Sequence, residues 1–310
     1  MNETKFSIVI PTFNREDFLV DALQSVVASR PVNAEIIVVN DGDALSNNTL
    51  NLIEKFSARV VNTTGSVGAG ATRNLGVRNA SGDWILFLDD DDMIRCGYWD
   101  QLAKFLILHT ADSSVYGFCT SLKSANRSKL AKYSATGGKF IFRQEVGNPR
   151  KRLSGLGMGF FISRSLYLSV GGLDPFLKVN EDTDLCVRLL AVGAKCLACA
   201  EPGVAVFSGS HLHRVRSTTK KYDAAERAGF FLKIIQENVE YLRSDKSVSK
   251  WLMSRYLKLA ADSGKPIDTI IEKLKLNWYT IFVLKFFYLL HCFTRRVREL
   301  LQSLKCKHES

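Results

Sequence analysis

The sequence predicts an α/β protein built on a doubly wound, mainly parallel sheet with a helical extension at its C-terminal end. Three observations predict it. Short, nearly continuous apolar runs recur at Phe6–Ile10, Glu35–Val39 and Trp84–Leu88, closed respectively by Pro-Thr, by Asn-Asp-Gly and by four aspartates. Helix-like stretches lie between them, roughly Asp17–Ala28, Asn47–Phe56 and Ala69–Ala80, so strand and helix alternate over residues 1–92. From Asp223 onward the pattern is helical throughout.

Each element has its own warrant. Apolar runs of five residues without alternation suit strands covered on both faces, as in a parallel sheet. Residues 113–165 carry mixed strand signals broken by Gly137, Gly138, Gly155, Gly157 and Gly159, and are expected to extend the sheet and form a second lip. Asn180–Val192 reads as a helix capped by Asn180, with Leu185, Leu189 and Val192 on one face. In such sheets ligands bind beyond the carboxyl ends of the strands, and every polar cluster of the first half falls at one of those ends.

Composition narrows the function classes. With 310 residues, 46% apolar and 24% charged, the chain is not disordered, collagen-like or a small disulfide-stapled scaffold. The net charge of +11 suggests nucleic acid until its distribution is read. Residues 1–213 hold 22 Lys and Arg against 21 Asp and Glu, and residues 214–310 hold 20 against 10, so a nearly neutral body carries a basic tail. Seven scattered cysteines predict reduced thiols in a cytoplasmic compartment, and the lone Cys196-Leu-Ala-Cys199 reads as buried structural thiols. The start, Met-Asn-Glu-Thr-Lys, runs directly into a strand and predicts no signal peptide.

Five polar clusters could carry chemistry. Asp89-Asp90-Asp91-Asp92 follows a buried strand, and adjacent carboxylates at such a place are relieved by a divalent cation, Mg²⁺ or Mn²⁺, shared with substrate phosphates. Asp41 closes the second strand in an Asn-Asp-Gly turn. Gly65-Ser-Val-Gly68-Ala-Gly70-Ala-Thr-Arg73 opens a helix and offers backbone N–H groups and Arg73 to phosphate oxygens. Glu181 and Asp182 stand in the first turn of a helix, where the dipole alone favours acids but where a carboxylate facing the metal would serve as a general base. His211 and His213 lie near the end of the body as a thin metal site or a plain surface loop.

Together these stretches resemble the family 2 glycosyltransferases, whose catalytic domain has the GT-A fold. The matching runs are Ser7-Ile-Val-Ile-Pro-Thr-Phe-Asn-Arg15, Glu35-Ile-Ile-Val-Val-Asn-Asp-Gly42, Gly70-Ala-Thr-Arg-Asn-Leu-Gly76, Gly82-Asp-Trp-Ile-Leu-Phe-Leu-Asp-Asp-Asp-Asp92, Gly171-Gly-Leu-Asp-Pro175 and Asn180-Glu-Asp-Thr-Asp-Leu-Cys-Val-Arg188. They occur in the family's order over about residues 1–215, leaving 216–310 as a helical region. The resemblance implies transfer of a sugar from a nucleotide-sugar donor, typically a UDP-sugar, to a hydroxyl with inversion. It implies that Pro11, Thr12, Asn14 and Arg15 frame the nucleotide, that Asp41 meets the base, and that Gly68, Arg73, Asp89 and Asp90 belong to the donor site. It further implies that Asp89 and Asp91 form the Asp-x-Asp motif on the metal, that Asp182 is the general base with Glu181 beside it, and that His213 touches metal or diphosphate. Three features depart from the pattern: Asp43 replaces a small residue after Asn-Asp-Gly, the run 89–92 is all aspartate, and the basic segment 123–152 has no general counterpart and is assigned to the acceptor side.

The tail holds Leu276–Phe293, nearly all apolar with only Lys285 charged, followed by Arg295, Arg296, Arg298, Lys305 and Lys307. A segment of about 276–305 that is short for a span, carries a mid-stretch lysine and is rich in aromatics suits an interfacial helix on anionic lipid. The alternatives are a helix packed on the body and a true span. Such an address fits a peripheral enzyme on the inner face of the cell membrane that acts on a glycan or lipid-linked glycan in cell-surface polysaccharide synthesis, and it argues against nucleic acid. Two other classes compete: a nucleotidyltransferase, which would want a glycine-rich basic loop after the first strand where Pro-Thr-Phe-Asn-Arg stands, and a non-catalytic scaffold that keeps the fold.

Overall fold

A computed structural model describes residues 4–31, 33–109, 114–153, 155–156, 159–208, 221–264 and 285–297, and the chain divides into two compact units, Met1–Arg214 and Val215–Ser310. The first unit is a nine-stranded mixed sheet. Its strands are β1 (Phe6–Thr12), β2 (Ala34–Asn40), β3 (Ala58–Asn62), β4 (Trp84–Phe87), β5 (Asp92–Ile94), β6 (Val115–Ser124), β7 (Phe142–Gln144), β8 (Phe161–Ser163) and β9 (Lys195–Phe207). They run in the order β3-β2-β1-β4-β8-β6-β9-β5, with β7 also on β9. The first four are parallel; β8 lies antiparallel to both β4 and β6, and β5 and β7 lie antiparallel to β9. The doubly wound half and the continuation of the sheet beyond residue 113 are thus both present.

Helices α1 (Glu16–Val27), α2 (Asn47–Lys55) and α3 (Ala69–Asn79) connect the parallel strands. All seven residues of β1 are buried, as a strand covered on both faces requires. Helix α1 buries Leu19, Ala22, Leu23 and Val26, a stripe at i, i+3, i+4 and i+7. Helix α3 approaches the sheet closely at Gly76, where a Cβ would stand 2.4 Å from Val9 Cγ1 and 3.0 Å from Val39 Cγ2. Any side chain there would push the helix, and the glycine-rich loop that opens it, away from the strand ends.

Two elements depart from expectation. β3 (Ala-Arg-Val-Val-Asn) is an edge strand with no fully buried residue, so it lacks the continuous apolar signature of its neighbours. β9 spans 13 residues across Pro202, because its register against β6 shifts between Cys119 and Ser121 and lets the strand bend on. Cys196 and Cys199 both lie on β9 as buried free thiols, and burial pushes their pKa values up.

The remaining helices of the first unit are α4 (Tyr98–His109), α5 (Arg127–Ser134), α6 (Pro149–Arg152), α7 (Arg164–Ser169) and α8 (Glu181–Ala191). The second unit is helical: α9 (Ala224–Glu237), α10 (Val239–Ser244), α11 (Lys246–Ser263) and α12 over residues 285–297. Asp223 and Glu226 close a reciprocal capping box on α9, and Phe231 of α9 meets Trp251 of α11 with ring centroids 6.4 Å apart. Arg295 of α12 donates to the Ala261 carbonyl of α11 at 3.0 Å. Along α12 the half-buried positions are Tyr288, His291, Cys292 and Arg295, whereas Phe286, Leu289, Leu290, Phe293 and Val297 are exposed. Successive residues turn 100°, which gathers those five into one stripe on the side away from Arg295. Among the described residues no helix is long and apolar enough to cross a membrane.

Candidate active site

The carboxyl ends of β1, β2 and β4 open on one side of the sheet, and the polar clusters assemble there. Beyond β1, Asn14 takes a left-handed conformation (φ 53°), which turns the chain into α1. Its side chain accepts from the Asp43 N–H at 2.7 Å and donates to the Asp43 carboxylate at 3.0 Å. Asp43, the unexpected residue after Asn-Asp-Gly, therefore latches the first two strand-end loops together. Asn14, Arg15, Asp17, Asp43 and Leu45 line a depression of about 360 Å³ at this point. Pro11 and Thr12 are buried at the end of β1.

Asp41 is buried, and its carboxylate accepts from the Thr63 hydroxyl (2.6 Å), the Val67 N–H (2.8 Å) and the Gly68 N–H (2.9 Å). It anchors the glycine-rich loop that leads into α3. That loop ends in Gly68 at φ 93°, and Arg73 follows in the second turn of α3.

The four aspartates separate by role. Asp90 is fully buried; it accepts from Thr12 Oγ1 at 2.8 Å and pairs with Arg15. Burial, only partly offset by Arg15, raises its pKa to about 7. Asp92 opens β5 and is buried. Asp89 and Asp91 keep side-chain exposures of 29% and 15%, so these two, one residue apart, reach the crevice. Asp91 meets Arg15 Nη1 at 2.9 Å, and Asp89 pairs with Arg73.

Arg73 connects this strand end to α8. Its guanidinium is nearly buried, pairs with Asp89, and lies 3.7 Å from the Glu181 carboxylate. Burial works against its charge, but Asp89 and Glu181 outweigh it and the pKa is raised. The expected phosphate-binding arginine is thus held between two carboxylates.

Glu181 and Asp182 open α8 directly after Asn180, which takes a left-handed conformation (φ 65°) and makes no side-chain cap bond. Burial raises the pKa of both carboxyls; their mutual repulsion adds to this for Glu181, and Arg73 opposes it at both. Asp182 also accepts from the Thr183 N–H at 2.7 Å. Gly155 of the loop before β8 lies against it, and a Cβ there would stand 2.8 Å from Asp182 Oδ2. A side chain at position 155 would force the Asp182 carboxylate to shift.

Sequence reasoning missed the residues that aim α8. Asn74, next to Arg73, accepts from the Tyr167 hydroxyl (2.6 Å) and the Leu173 N–H (3.0 Å) and donates to the Leu173 carbonyl (2.7 Å). Arg188 donates to the carbonyls of Val170 and Gly172 and pairs with Asp184. The Gly171-Gly172-Leu173 turn is clamped from α3 on one side and α8 on the other. The available signal was Asn74 beside Arg73 in Gly70–Gly76, but nothing in the string gives a partner 99 residues away. His213 lies outside the described residues, and among those described no three His, Cys, Asp or Glu side chains group as a metal cage.

The sequence model of "Glycosyl transferase family 2" matches residues 7–165. An uncharacterized glycosyltransferase of Haemophilus influenzae is 28% identical over 188 residues, covering 59% of this chain and 61% of its own. The poly(ribitol-phosphate) beta-N-acetylglucosaminyltransferase TarS of Staphylococcus aureus is 31% identical over 113 residues, covering 35% of this chain and 20% of its own. The chain therefore spans less than two thirds of the length of these curated relatives. In structure, S. aureus TarS 1–349 in complex with UDP-GlcNAc superposes with a TM-score of 0.60 at 19% identity, covering 84% of this chain and 72% of that one. The mannosyltransferase PcManGT from Pyrobaculum calidifontis, in complex with GDP-Man and Mn²⁺, gives 0.52 at 15% identity, covering 96% and 88%. At these identities the superpositions establish the GT-A fold.

Proposed function

The chain belongs to glycosyl transferase family 2, and from that premise we propose that it is an inverting, metal-dependent transferase moving a hexose from a nucleotide-sugar, a UDP-sugar first, to the hydroxyl of a glycan or lipid-linked glycan in cell-surface polysaccharide synthesis. One observation carries the reading: Arg73 ties the accessible carboxylate of Asp89, at the end of β4, to Glu181 in the acidic first turn of α8. A donor-side acid pair and a candidate base thereby face one crevice at the carboxyl ends of the strands.

The donor set fits a hard divalent cation. Asp89 and Asp91 offer carboxylate oxygens only, and Mg²⁺ or Mn²⁺ held by one or two carboxylates completes its shell with substrate phosphates and water. When bound, such an ion neutralises charge on the leaving diphosphate. Asp182 takes the proton of the acceptor hydroxyl, and Glu181 with Arg73 sets the field around it. The glycine-rich loop, braced by Asp41, presents backbone N–H groups to the nucleotide side. Pro11, Thr12, Asn14 and Arg15 frame the same side, and Gly68 closes the loop. The exposed stripe of α12 supports a peripheral place on an anionic membrane, where a lipid-linked acceptor resides.

The test is a thermal-shift screen of the full chain against nucleoside diphosphates and nucleotide sugars with and without Mn²⁺. A metal-dependent rise is expected for one nucleotide class, since a ligand at 100 times its Kd adds about 2.7 kcal/mol. Asp182→Asn is expected to keep that shift and lose transfer, and Asp91→Ala to lose its metal dependence; equal loss of both properties in Asp182→Asn overturns the base assignment.

A further inference from the structure

Arg15 occupies the position of a cation. It stands at the N-cap of α1, and the structure gives its side chain no capping bond. Its guanidinium reaches the acidic run instead. Nη1 lies 2.9 Å from Asp91 Oδ2, Nε donates to Asp90 Oδ2 at 3.2 Å, and Nη2 pairs with Asp90 Oδ1. The side chain is 24% exposed, Asp90 is sealed and Asp91 is at the crevice, so the fork bridges an inaccessible carboxylate and an accessible one. Burial works against the charge of Arg15, but Asp90, Asp91 and Asp89 outweigh it.

We propose that Arg15 is a built-in counter-ion for Asp91, exchanged when donor diphosphate arrives, so that divalent cation and donor bind as one cooperative event. This rests on the reading of Asp91 as a metal carboxylate. Arg15 holds the Asp91 carboxylate and Arg73 is shared between Asp89 and Glu181, so the carboxylates a cation would use already face paired positive charge and attract it less on their own. Nη1 also holds the Asp91 oxygen that a metal ion would use. A diphosphate changes that balance by offering Arg15 an alternative set of anionic oxygens in the geometry a guanidinium favours. Nε and Nη2 stay fixed on buried Asp90, so Arg15 surrenders only its outer bond and pivots on the inner two. Lysine in its place would carry the charge without the fork and could not bridge both aspartates in that way.

Linkage makes the consequence reciprocal: whatever factor the diphosphate adds to cation affinity, the cation adds to diphosphate affinity. The experiment titrates the full chain with Mn²⁺ alone, UDP alone, and Mn²⁺ at saturating UDP, reading heat and the electron paramagnetic resonance of free Mn²⁺. Wild type is expected to bind Mn²⁺ weakly alone and about tenfold more tightly with UDP, within the usual range of site–site coupling. Arg15→Gln is expected to bind Mn²⁺ alone about tenfold more tightly than wild type, to bind UDP alone more weakly, and to lose most of the coupling. Arg15→Lys is expected to keep UDP affinity better than Arg15→Gln while still losing coupling. Arg59→Gln removes the same charge from an arginine paired with Glu35, away from the crevice, and is expected to match wild type throughout. Unchanged or weaker Mn²⁺ binding by Arg15→Gln, with metal and UDP still bound by wild type, overturns the counter-ion role and leaves the metal-dependent reading standing. An equal gain in Arg59→Gln also overturns it, because net charge would then be the cause. Wild type that binds neither Mn²⁺ nor UDP overturns both.

Discussion

Single side chains here draw their chemistry from a neighbour's charge. Arg73 lowers the proton affinity of Glu181 and Asp182 while burial raises it, and burial prevails at both. A base whose pKa is raised loses its ionised form as pH falls toward that value, so transfer is expected to decline on acidification well before the ordinary carboxylate range. Arg73→Gln removes the opposing charge and is expected to move the acid limb of the kcat/KM profile to higher pH. A shift to lower pH would exclude the field role. Asp41, Asp89, Asp91 and Asp182 were legible as candidates because an acid directly after an apolar run, or at a helix start, has a short list of uses. Their separation into buried and accessible was not. Whether Asp90 or Asp91 faces the crevice depends on where Thr12 and Arg15 sit, more than 70 residues earlier in the chain.

At the scale of elements, the parallel strands and their helices could be read because burial on both faces writes a continuous apolar run. Edge strand β3 could not, since its residues are half exposed and carry no such run. Nor could the brace on α8. Asn74→Ala leaves the Tyr167 hydroxyl proton and the Leu173 carbonyl without this partner and the Leu173 N–H with only its 3.3 Å bond to the Tyr167 oxygen, at a cost of about 1–3 kcal/mol, to be read by denaturant unfolding. Transfer is expected to fall with it while UDP affinity holds, because the brace aims the base helix and not the donor loop. Helix α12 presents the opposite of the usual arrangement, with Phe293 66% exposed among its apolar neighbours while Arg295 bonds inward. Replacing Phe286 and Phe293 by serine is expected to weaken sedimentation with phosphatidylglycerol vesicles and leave binding of the soluble donor unchanged. Equal sedimentation of the variant would rule out the stripe as the lipid contact.

For the whole molecule, the division of charge was readable by counting. The first unit is near neutrality, and the helical unit holds 19 basic against 10 acidic residues. Vesicle binding is therefore expected to weaken steeply between 50 mM and 500 mM salt, where screening shortens the reach of surface charge. Donor binding should vary far less over the same range. The position of β9 was not readable, because its partners are scattered over residues 92–144. Among the described residues, strands β5 and β7 pair with no strand other than β9, and β9 is the last strand of the unit. This has a consequence in time. During synthesis at about 5–20 residues per second, the neighbouring strands β1, β2, β3 and β4 can associate early, yet the segment after the four aspartates has nothing to pair with until residue 207 has emerged. On the ribosome the crevice at these strand ends is thus held open and unfinished for several seconds, until the last described strand threads into place.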